Sequence, residues 1–248
     1  MEEILELPKQ KIKASTLSPE LMVVYSKYKQ GKTTSLSYLD NCLILDLENG
    51  SNFVEALKIK INNAQDIRKY GDMIISQGKP YKYIAVDTMT ALEDYALPVA
   101  MKLYQATPIG KNYGSKPGED SILKLPNGAG YYWLRLAMEN LLDYIRTLAP
   151  RIILSCHLKE KLITIDSKEV SSYDIDLTGK MRNIVCAKAD AIGLIKREGN
   201  KTIISFKTND LVSCGARPMH IRNKDIVLLE SDNNGNIIKN GWKEIYID

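Results

Sequence analysis

Residues 21–34 read LMVVYSKYKQGKTT, an apolar run that leads into a Gly-Lys-Thr turn. The run over 21–25 predicts a buried parallel strand, and the turn after it predicts a phosphate-binding loop. In such a loop the backbone N–H groups and the start of the next helix face a polyphosphate. A lysine reaches the β and γ oxygens, and a threonine hydroxyl binds Mg²⁺. We therefore expect a nucleoside triphosphate site here, with Lys32 and Thr33 in the last two roles.

One position of this loop departs from the usual pattern, which has a glycine five residues before the glycine of the Gly-Lys-Thr triplet. This chain has Ser26 there. A serine held at positive φ costs on the order of 1 kcal/mol, so either the turn differs slightly or Ser26 is strained. We expect this departure to slow nucleotide turnover. The predicted nucleotide contacts are Ser26, Gln30, Gly31, Lys32, Thr33 and Thr34.

The composition of the chain fits one large α/β domain, because 248 residues with 44% hydrophobic content can bury a full core. The 34 basic and 30 acidic residues give a net charge of only +4, which by itself does not predict nucleic-acid binding. No apolar run approaches the roughly 18 residues of a membrane span, and the first residues, Met1-Glu2-Glu3, carry negative charge where a secretory signal would be basic. We expect a cytoplasmic protein with no membrane partner.

The cysteines are widely spaced and predict reduced, mostly buried thiols rather than a metal site or a disulfide framework. Cys156 stands beside His157, but neighbours on a strand point to opposite faces, so we expect no nucleophile and base there. The four cysteines are Cys42, Cys156, Cys186 and Cys214.

Several apolar runs end in polar residues, which is typical of parallel strands whose carboxyl ends carry function. The runs over 42–46 and 83–87 end in Asp46 and Asp87, and the run over 151–156 is followed by His157. Asp87 is predicted to hold Mg²⁺ through water while Thr33 binds it directly; the alternative is that Asp87 caps the next helix.

The remaining elements follow from periodicity and turn residues. We expect a lead-in over 1–20, a core over 21–210 and a β-rich extension over 211–248 that docks on another subunit. Helices are predicted from about Lys32 and over 63–77, 91–104 and 131–148, irregular polar segments over 106–130 and 166–182, and strands over 190–196 and 201–207. The turns at 198–200 and 233–236 predict two hairpins.

The order of these motifs resembles the RecA-like P-loop ATPases over about residues 20–210. The likeness is greatest to the short phage-type proteins that consist of a RecA-like core and serve single-strand DNA annealing and recombination. It implies an α/β fold with a mainly parallel sheet flanked by helices and C-terminal β-hairpins, ATP and Mg²⁺ as cofactors, and a host cytoplasm. The residues that carry it are Gly31-Lys32-Thr33-Thr34, Leu45-Asp46-Leu47-Glu48, Ile84-Ala85-Val86-Asp87-Thr88 and Ile153-Leu154-Ser155-Cys156-His157.

The resemblance also implies catalytic roles. Lys32 is expected to act on the phosphates, and Glu48, just past the second core strand, is expected to be the general base. Asp46 is the rival base, and a purely solvated Glu48 is the other alternative. His157 is expected to sense the γ-phosphate and pass its presence to the following loop, although a lone histidine can also be structural.

The same resemblance implies that two polar loops bind single-stranded DNA, because lysines track phosphates and aromatic rings stack on bases. Acidic residues in both loops dilute their charge, and Tyr132 or Trp133 can instead belong to the core. The candidates are Lys111, Tyr113 and Lys116 in the first loop and Lys168, Lys180 and Arg182 in the second.

The family works as an oligomer, here a ring or a filament, in which a basic residue of one subunit completes the neighbour's ATP site. Lys207 is the first candidate for this residue, followed by Arg197 and Arg217, and each can equally be a surface charge.

The function predicted from these features is a Mg²⁺-dependent, DNA-stimulated ATPase that anneals or recombines DNA. An alternative is a nucleotide-dependent assembly protein of the helicase-loader kind with little hydrolysis, which Ser26 favours. A second alternative is a P-loop small-molecule kinase, which Glu48 and His157 disfavour.

Overall fold

A computed structural model describes residues 9–11, 13, 16–165 and 168–247. The strands are β1 (Leu21–Ser26), β2 (Cys42–Asp46), β3 (Leu57–Lys60), β4 (Tyr83–Asp87), β5 (Arg151–Ile165), β6 (Lys168–Ile175), β7 (Ala191–Glu198), β8 (Lys201–Ser205), β9 (Gly215–Ala216), β10 (Asp225–Ser231) and β11 (Ile237–Asn240). The helices are α1 (Lys32–Ser37), α2 (Ala64–Ser76), α3 (Met89–Gln105), α4 (Ala129–Ile145), α5 (Met181–Lys188) and α6 (Trp242–Ile245).

One large sheet runs in the order β11-β10-β8-β7-β1-β5-β4-β2-β3. The six strands from β7 to β3 pair in parallel, whereas β8, β10 and β11 continue the sheet antiparallel beyond β7. The short strand β9 pairs with β7, and β6 pairs with β5. The predicted fold class, an α/β P-loop core with C-terminal hairpins, is confirmed.

Both faces of the central parallel strands β1, β2 and β4 are buried, which explains why these strands read as continuous apolar runs. Successive residues point to opposite faces. Val23 packs with the side chains of α2, α3 and α4, whereas Met22 packs with those of α1 and α6. The C-terminal segment thus closes the second face, where the indole of Trp242 donates to the carbonyl of Ser35 at 2.6 Å.

The prediction that the strand after Pro150 ends near His157 is wrong, because β5 continues to Ile165. The predicted polar loop over 166–182 is also wrong in part, because residues 168–175 form strand β6. This strand pairs antiparallel with the outer half of β5. This two-stranded ribbon lies beyond the main sheet, so it has no second strand layer to bury it and its strands carry many polar residues. Sequence hydropathy therefore did not reveal it.

The long connection from α3 to α4 is irregular, as predicted, and it is anchored to the main core. Ile122, in a short 3-10 turn, and Leu125, between this turn and a second one, are buried there. The edge strand β3 was not predicted, because it is largely exposed and alternates lysines with apolar residues. The boundary predicted near residue 210 stays a prediction, although β10 and β11 extend the main sheet.

The predicted helices are confirmed within a few residues, and α3 and α4 have 17 residues each. Within the described ranges, no helix combines the length and the apolar character needed to cross a membrane.

Gly130, near the start of α4, has no room for a side chain. A Cβ there would lie 2.0 Å from the carbonyl oxygen of Ile122 and 2.9 Å from Cα of Leu123. Because backbone atoms cannot rotate away, we expect Gly130→Ala to lower the free energy of unfolding by about 1–3 kcal/mol in urea titrations. The matched control is Gly50→Ala, whose Cβ meets nothing within 4 Å and which should stay within about 1 kcal/mol of wild type. Equal midpoints for the two variants would contradict this view of the loop.

Candidate active site

The carboxyl ends of β1, β2 and β4 meet the middle of β5 at one edge of the parallel sheet. Ser26 lies opposite His157, and Asp87 lies between Asp46 on one side and Ser155 on the other. A cavity of about 460 Å³ opens at this edge. It is lined by Tyr28, Lys29, Gln30, Gly31, Lys32, Thr33, Thr34, Glu48, Gly50, Val54, Asp87, Thr88, His157 and Arg197. The predicted nucleotide, metal and catalytic residues are thus brought together at one place, with Ser26 directly behind them.

The phosphate loop bends differently from the expectation based on Ser26. Ser26 is the last residue of β1 and is fully buried, whereas the left-handed residues are Lys29 at φ 60° and Gly31 at φ 90°. Of the two alternatives for this position, strain at Ser26 is therefore wrong, and a turn that differs from the usual one is confirmed. Its hydroxyl accepts a hydrogen bond from Nζ of Lys32 at 3.0 Å and donates to the carbonyl of Lys27 at 2.7 Å. Ser26 thus positions the loop lysine.

The ammonium group of Lys32 is buried. Burial lowers its pKa, and the nearby Asp87 and Glu48 carboxylates oppose that shift. Among the described residues its only hydrogen bond from Nζ goes to the neutral hydroxyl of Ser26, and it forms no ion pair. A buried ammonium with so few partners is suited to bind an anion, because a bound phosphate would compensate its charge.

Asp87 and Thr33 form the candidate metal site. The hydroxyl of Thr33 donates to Oδ2 of Asp87 at 2.5 Å. Burial raises the pKa of Asp87, and hydrogen bonds and the Lys32 charge oppose the rise. A hydroxyl beside a desolvated carboxylate fits Mg²⁺, which prefers oxygen ligands and keeps phosphates and waters in its shell. No cluster of three or more His, Cys, Asp or Glu that could hold a metal occurs among the described residues.

The alternative role of Asp87 as a helix cap is wrong, because Thr88 caps α3. Oγ1 of Thr88 accepts from the amide of Ala91 at 3.3 Å. The same hydroxyl donates to Oε1 of Glu48 at 2.6 Å. The Asp87–Thr88 peptide bond is cis. The sequence reasoning missed this role of Thr88, since its partner is 40 residues away in the chain.

Within the described part of the chain, only one carboxylate oxygen of Glu48 has hydrogen-bond partners. Oε1 accepts from Thr88 and lies 2.9 Å from Nε2 of His157, whereas no described residue bonds Oε2. The side chain is 36% exposed, so it is neither purely solvated nor closed to water. Because an ionised carboxylate only accepts, Nε2 of His157 donates this bond. The free oxygen of Glu48 can accept a proton from a water in the cavity.

Asp46, the rival base, accepts hydrogen bonds from the turn that carries Glu48. Its buried carboxylate accepts from the hydroxyl of Ser51 at 2.5 Å and from the amide of Ser51 at 3.0 Å. The amides of Glu48 and Gly50 also donate to it, each at 3.2 Å. With four donors, Asp46 is suited to shape the turn rather than to take a proton from water.

His157 connects the site with the β5–β6 ribbon. Its ring lies 4.5 Å from the ring of Tyr28, a residue of the phosphate loop that sequence reasoning did not single out. Its carbonyl accepts from the amide of Asp176, just past β6, at 3.0 Å. Nδ1 is buried and has no hydrogen-bond partner among the described residues. The ring of His157 is thus hydrogen-bonded to Glu48, while its backbone carbonyl holds the residue just past β6.

The candidate DNA-binding residues are only partly available. Tyr113 is turned inward: its ring packs 5.3 Å from Tyr104 and its hydroxyl donates to the carbonyl of Ser121 at 3.0 Å. Arg182 pairs with the buried carboxylate of Asp174. These two residues are therefore poor candidates for contact with a strand. Lys111, Lys116 and Lys180 are exposed, and the side chain of Lys168 lies outside the described part of the chain.

A groove of about 340 Å³ lies where the two predicted DNA loops meet, between the starts of α4 and α5. Tyr131 and Tyr132 line it and are 50% and 52% exposed. Lys180 and Arg135 supply positive charge there, and the guanidinium of Arg135 lies 5.7 Å from the ring centre of Tyr132. We call these four residues the tyrosine groove. Trp133 packs 5.5 Å from Tyr104 instead, as the core alternative predicts for it.

The three candidates for a residue that reaches a neighbouring subunit lie in different places. Nζ of Lys207 is 2.7 Å from Asp225, and a guanidinium nitrogen of Arg217 is 3.0 Å from Asp190. Both lie toward the amino ends of the parallel strands, away from the cavity of their own chain. Arg197 instead lines that cavity.

The burial of Asp87 gives a test of the site without any nucleotide. Because the pKa of Asp87 is raised in the folded chain, the folded chain keeps this proton to a higher pH than the unfolded chain does. Ionisation of Asp87 therefore destabilises the fold as the pH rises through that range. We therefore expect Asp87→Asn to raise the free energy of unfolding at pH 7. The gain should shrink as the pH falls toward about 4, the usual pKa of an aspartate.

Denaturant titrations between pH 4 and pH 8 measure this effect. The control is Asp94→Asn, an exposed aspartate on α3, which should change stability by no more than about 0.5 kcal/mol. A less stable Asp87→Asn variant at pH 7 would contradict the burial argument.

Comparison with known proteins identifies the family of this chain. A protein-family model described as an AAA domain matches residues 18–217. A search of curated proteins found no match. The matched range contains the phosphate loop, Glu48, Asp87 and His157, so the predicted P-loop ATPase family is confirmed, whereas the closer likeness to phage-type RecA-core proteins stays a prediction. The chain therefore belongs to the AAA-domain family and carries a nucleotide-binding P-loop ATPase domain.

Proposed function

We propose that this protein is a Mg²⁺-dependent ATPase that acts as an oligomer on single-stranded DNA and promotes annealing or recombination. The observation that carries the ATPase part is the convergence of Lys32, Thr33, Asp87 and Glu48 on one cavity. Loop, metal carboxylate and base come from three different strand ends, which is the arrangement that phosphoryl transfer to water needs.

The proposed chemistry assigns a task to each side chain. Lys32 binds the β and γ oxygens and compensates the charge that develops on them. Glu48 accepts the proton of the attacking water through Oε2, while Thr88 and His157 hold its other oxygen in place. Thr33 and Asp87 would hold a Mg²⁺ ion, which would supply positive charge to the phosphates. Thr88, the residue after Asp87, has no carboxylate that could act as a base. We therefore assign the base to Glu48, just past the adjacent strand β2.

Two routes of contact support communication between this site and the tyrosine groove. Glu48 bonds His157, whose carbonyl holds the amide of Asp176 at the end of β6. The second route runs through α3, which Thr88 caps. Glu93 of this helix accepts a hydrogen bond from the hydroxyl of Thr178 at 2.9 Å, and Thr178 lies two residues before Lys180. Movement of Glu48 or Thr88 on loss of the γ-phosphate would thus reach the groove through directly bonded groups.

The tyrosine groove supports the DNA part of the proposal. Exposed tyrosine rings can stack on bases at roughly 1–3 kcal/mol per base, and the adjacent cations can follow the phosphate backbone. The groove also joins the two segments that the sequence predicts to bind DNA. Lys111 and Lys116, exposed on the first of these segments, extend the positive surface.

In the proposed oligomer, Lys207 or Arg217 reaches the ATP site of the next subunit. Each lies on a surface away from its own cavity and is more than half exposed. Each would first have to leave its aspartate partner, which costs little because exposed ion pairs contribute only about 0–1 kcal/mol.

Glu48→Gln tests the base. We expect the kcat for ATP hydrolysis to fall by about 100-fold or more while ATP affinity is kept, because the amide cannot accept the proton. Phosphate release and equilibrium binding of a fluorescent ATP analogue measure the two effects. The control is Glu20→Gln, an exposed glutamate just before β1, which should leave both unchanged.

The outcomes separate the candidate functions. Full activity in Glu48→Gln would overturn the role of Glu48. ATP binding by wild type with no hydrolysis would favour the helicase-loader alternative, and formation of a phosphorylated small molecule would favour the kinase.

The DNA proposal predicts a change in salt dependence. For the double variant Lys111→Ala and Lys180→Ala, the plot of log affinity for an oligothymidine against log salt should be shallower by about one to two units, because each lost phosphate contact removes slightly less than one unit. Tyr132→Ala should weaken binding with the slope unchanged, because stacking releases no counterions. Fluorescence anisotropy at several salt concentrations measures both.

The matched control for the lysines is Lys69→Ala together with Lys243→Ala, two exposed lysines away from the groove. If this control changed the slope as much as the groove variant, the tyrosine groove would not be the binding site.

A further inference from the structure

Arg197 lies at the end of β7, on the hairpin that β7 forms with β8, and lines the cavity of the phosphate loop in its own chain. The amide of Arg197 donates to Oε1 of Gln30 at 2.9 Å. A Cβ on Gly31 would lie 3.3 Å from Oγ1 of Thr202 on β8. The hairpin is therefore hydrogen-bonded to the phosphate loop at Gln30 and lies close to it at Gly31, which fixes the start of the Arg197 side chain beside the loop.

The cations of this hairpin differ in whether a carboxylate pairs with them. Nζ of Lys196 is 2.7 Å from Glu198, and Nζ of Lys201 is 3.4 Å from Glu230, so both lysines have carboxylate partners. Arg197 forms no ion pair within the described part of the chain. The contact of its guanidinium there is one long bond, from Nε to the carbonyl of Gly199 at 3.4 Å. The one hairpin cation at the cavity is thus the one whose charge is left available.

We propose that Arg197 binds the polyphosphate of the nucleotide held by its own chain, as a cation supplied in cis. This inference rests on the proposed nucleotide function and deepens it. A guanidinium can donate two parallel hydrogen bonds to phosphate oxygens, which lysine cannot do, and the exposed side chain has the freedom to turn from Gly199 toward them. The role differs from that of a residue donated by a neighbouring subunit, for which Lys207 and Arg217 remain the candidates.

Binding of a fluorescent ATP analogue in the presence of Mg²⁺ tests the contact. Arg197→Ala should raise the Kd by about 10-fold or more, because the phosphates would lose charge-assisted hydrogen bonds. Arg197→Lys should recover part of the loss. The matched control is Lys196→Ala, which removes a neighbouring cation already paired with Glu198 and should stay within about twofold of wild type. Circular dichroism and melting curves check that each variant is folded.

A mixing experiment tests whether Arg197 acts in cis. Chains with Arg197→Ala are mixed with chains carrying Lys32→Ala, and phosphate release from ATP is measured. If Arg197 serves its own chain, every site lacks either the arginine or the lysine, and the mixture stays as slow as the separate variants. Recovery of hydrolysis would overturn the cis assignment, and a wild-type Kd in Arg197→Ala would overturn the contact itself. Failure of wild type to bind the analogue would instead overturn the proposed function, so the two failures are distinguishable.

Discussion

A buried lysine and a buried aspartate share the carboxyl edge of the sheet, and burial opposes the charge on each. The pKa of Lys32 is lowered and that of Asp87 is raised, although each lies close enough to the other to offset part of the effect. Each is hydrogen-bonded to a neutral hydroxyl, from Ser26 and from Thr33. A site of this kind gains most from a ligand that brings both an anion and a cation, and a nucleoside triphosphate with Mg²⁺ is such a ligand.

The surrounding fold keeps these groups in place. The parallel register sets Ser26, Asp46, Asp87 and His157 side by side at one edge. Asp46 shapes the turn that presents Glu48, while Thr88 both starts α3 and fixes the carboxylate of Glu48. A protein interior that is packed on both faces of the sheet can hold such an arrangement rigid before any ligand binds, which is the condition for electrostatic catalysis.

The sequence predicted the parts of the molecule that depend on local pattern. The apolar runs predicted β1, β2 and β4, and the polar residues that end or follow these runs include Glu48 and Asp87, which meet the phosphate loop at the cavity. What it did not reveal depends on tertiary contacts. The phosphate loop bends at Lys29 and Gly31 rather than at Ser26, Thr88 bonds a residue on another strand, and Tyr113 is turned into its own loop. The β5–β6 ribbon stayed hidden because its strands are solvated and read as a polar loop.

Phosphate release from ATP by the wild-type protein tests the site most directly, measured at saturating ATP with Mg²⁺ and again after chelation of Mg²⁺ with EDTA. We expect steady release with Mg²⁺ and loss of nearly all of it in EDTA, because Thr33 and Asp87 are proposed to hold the ion against the phosphates. Absence of release with Mg²⁺, or equal release after chelation, would contradict the claim that this cavity is a Mg²⁺-dependent hydrolysis site.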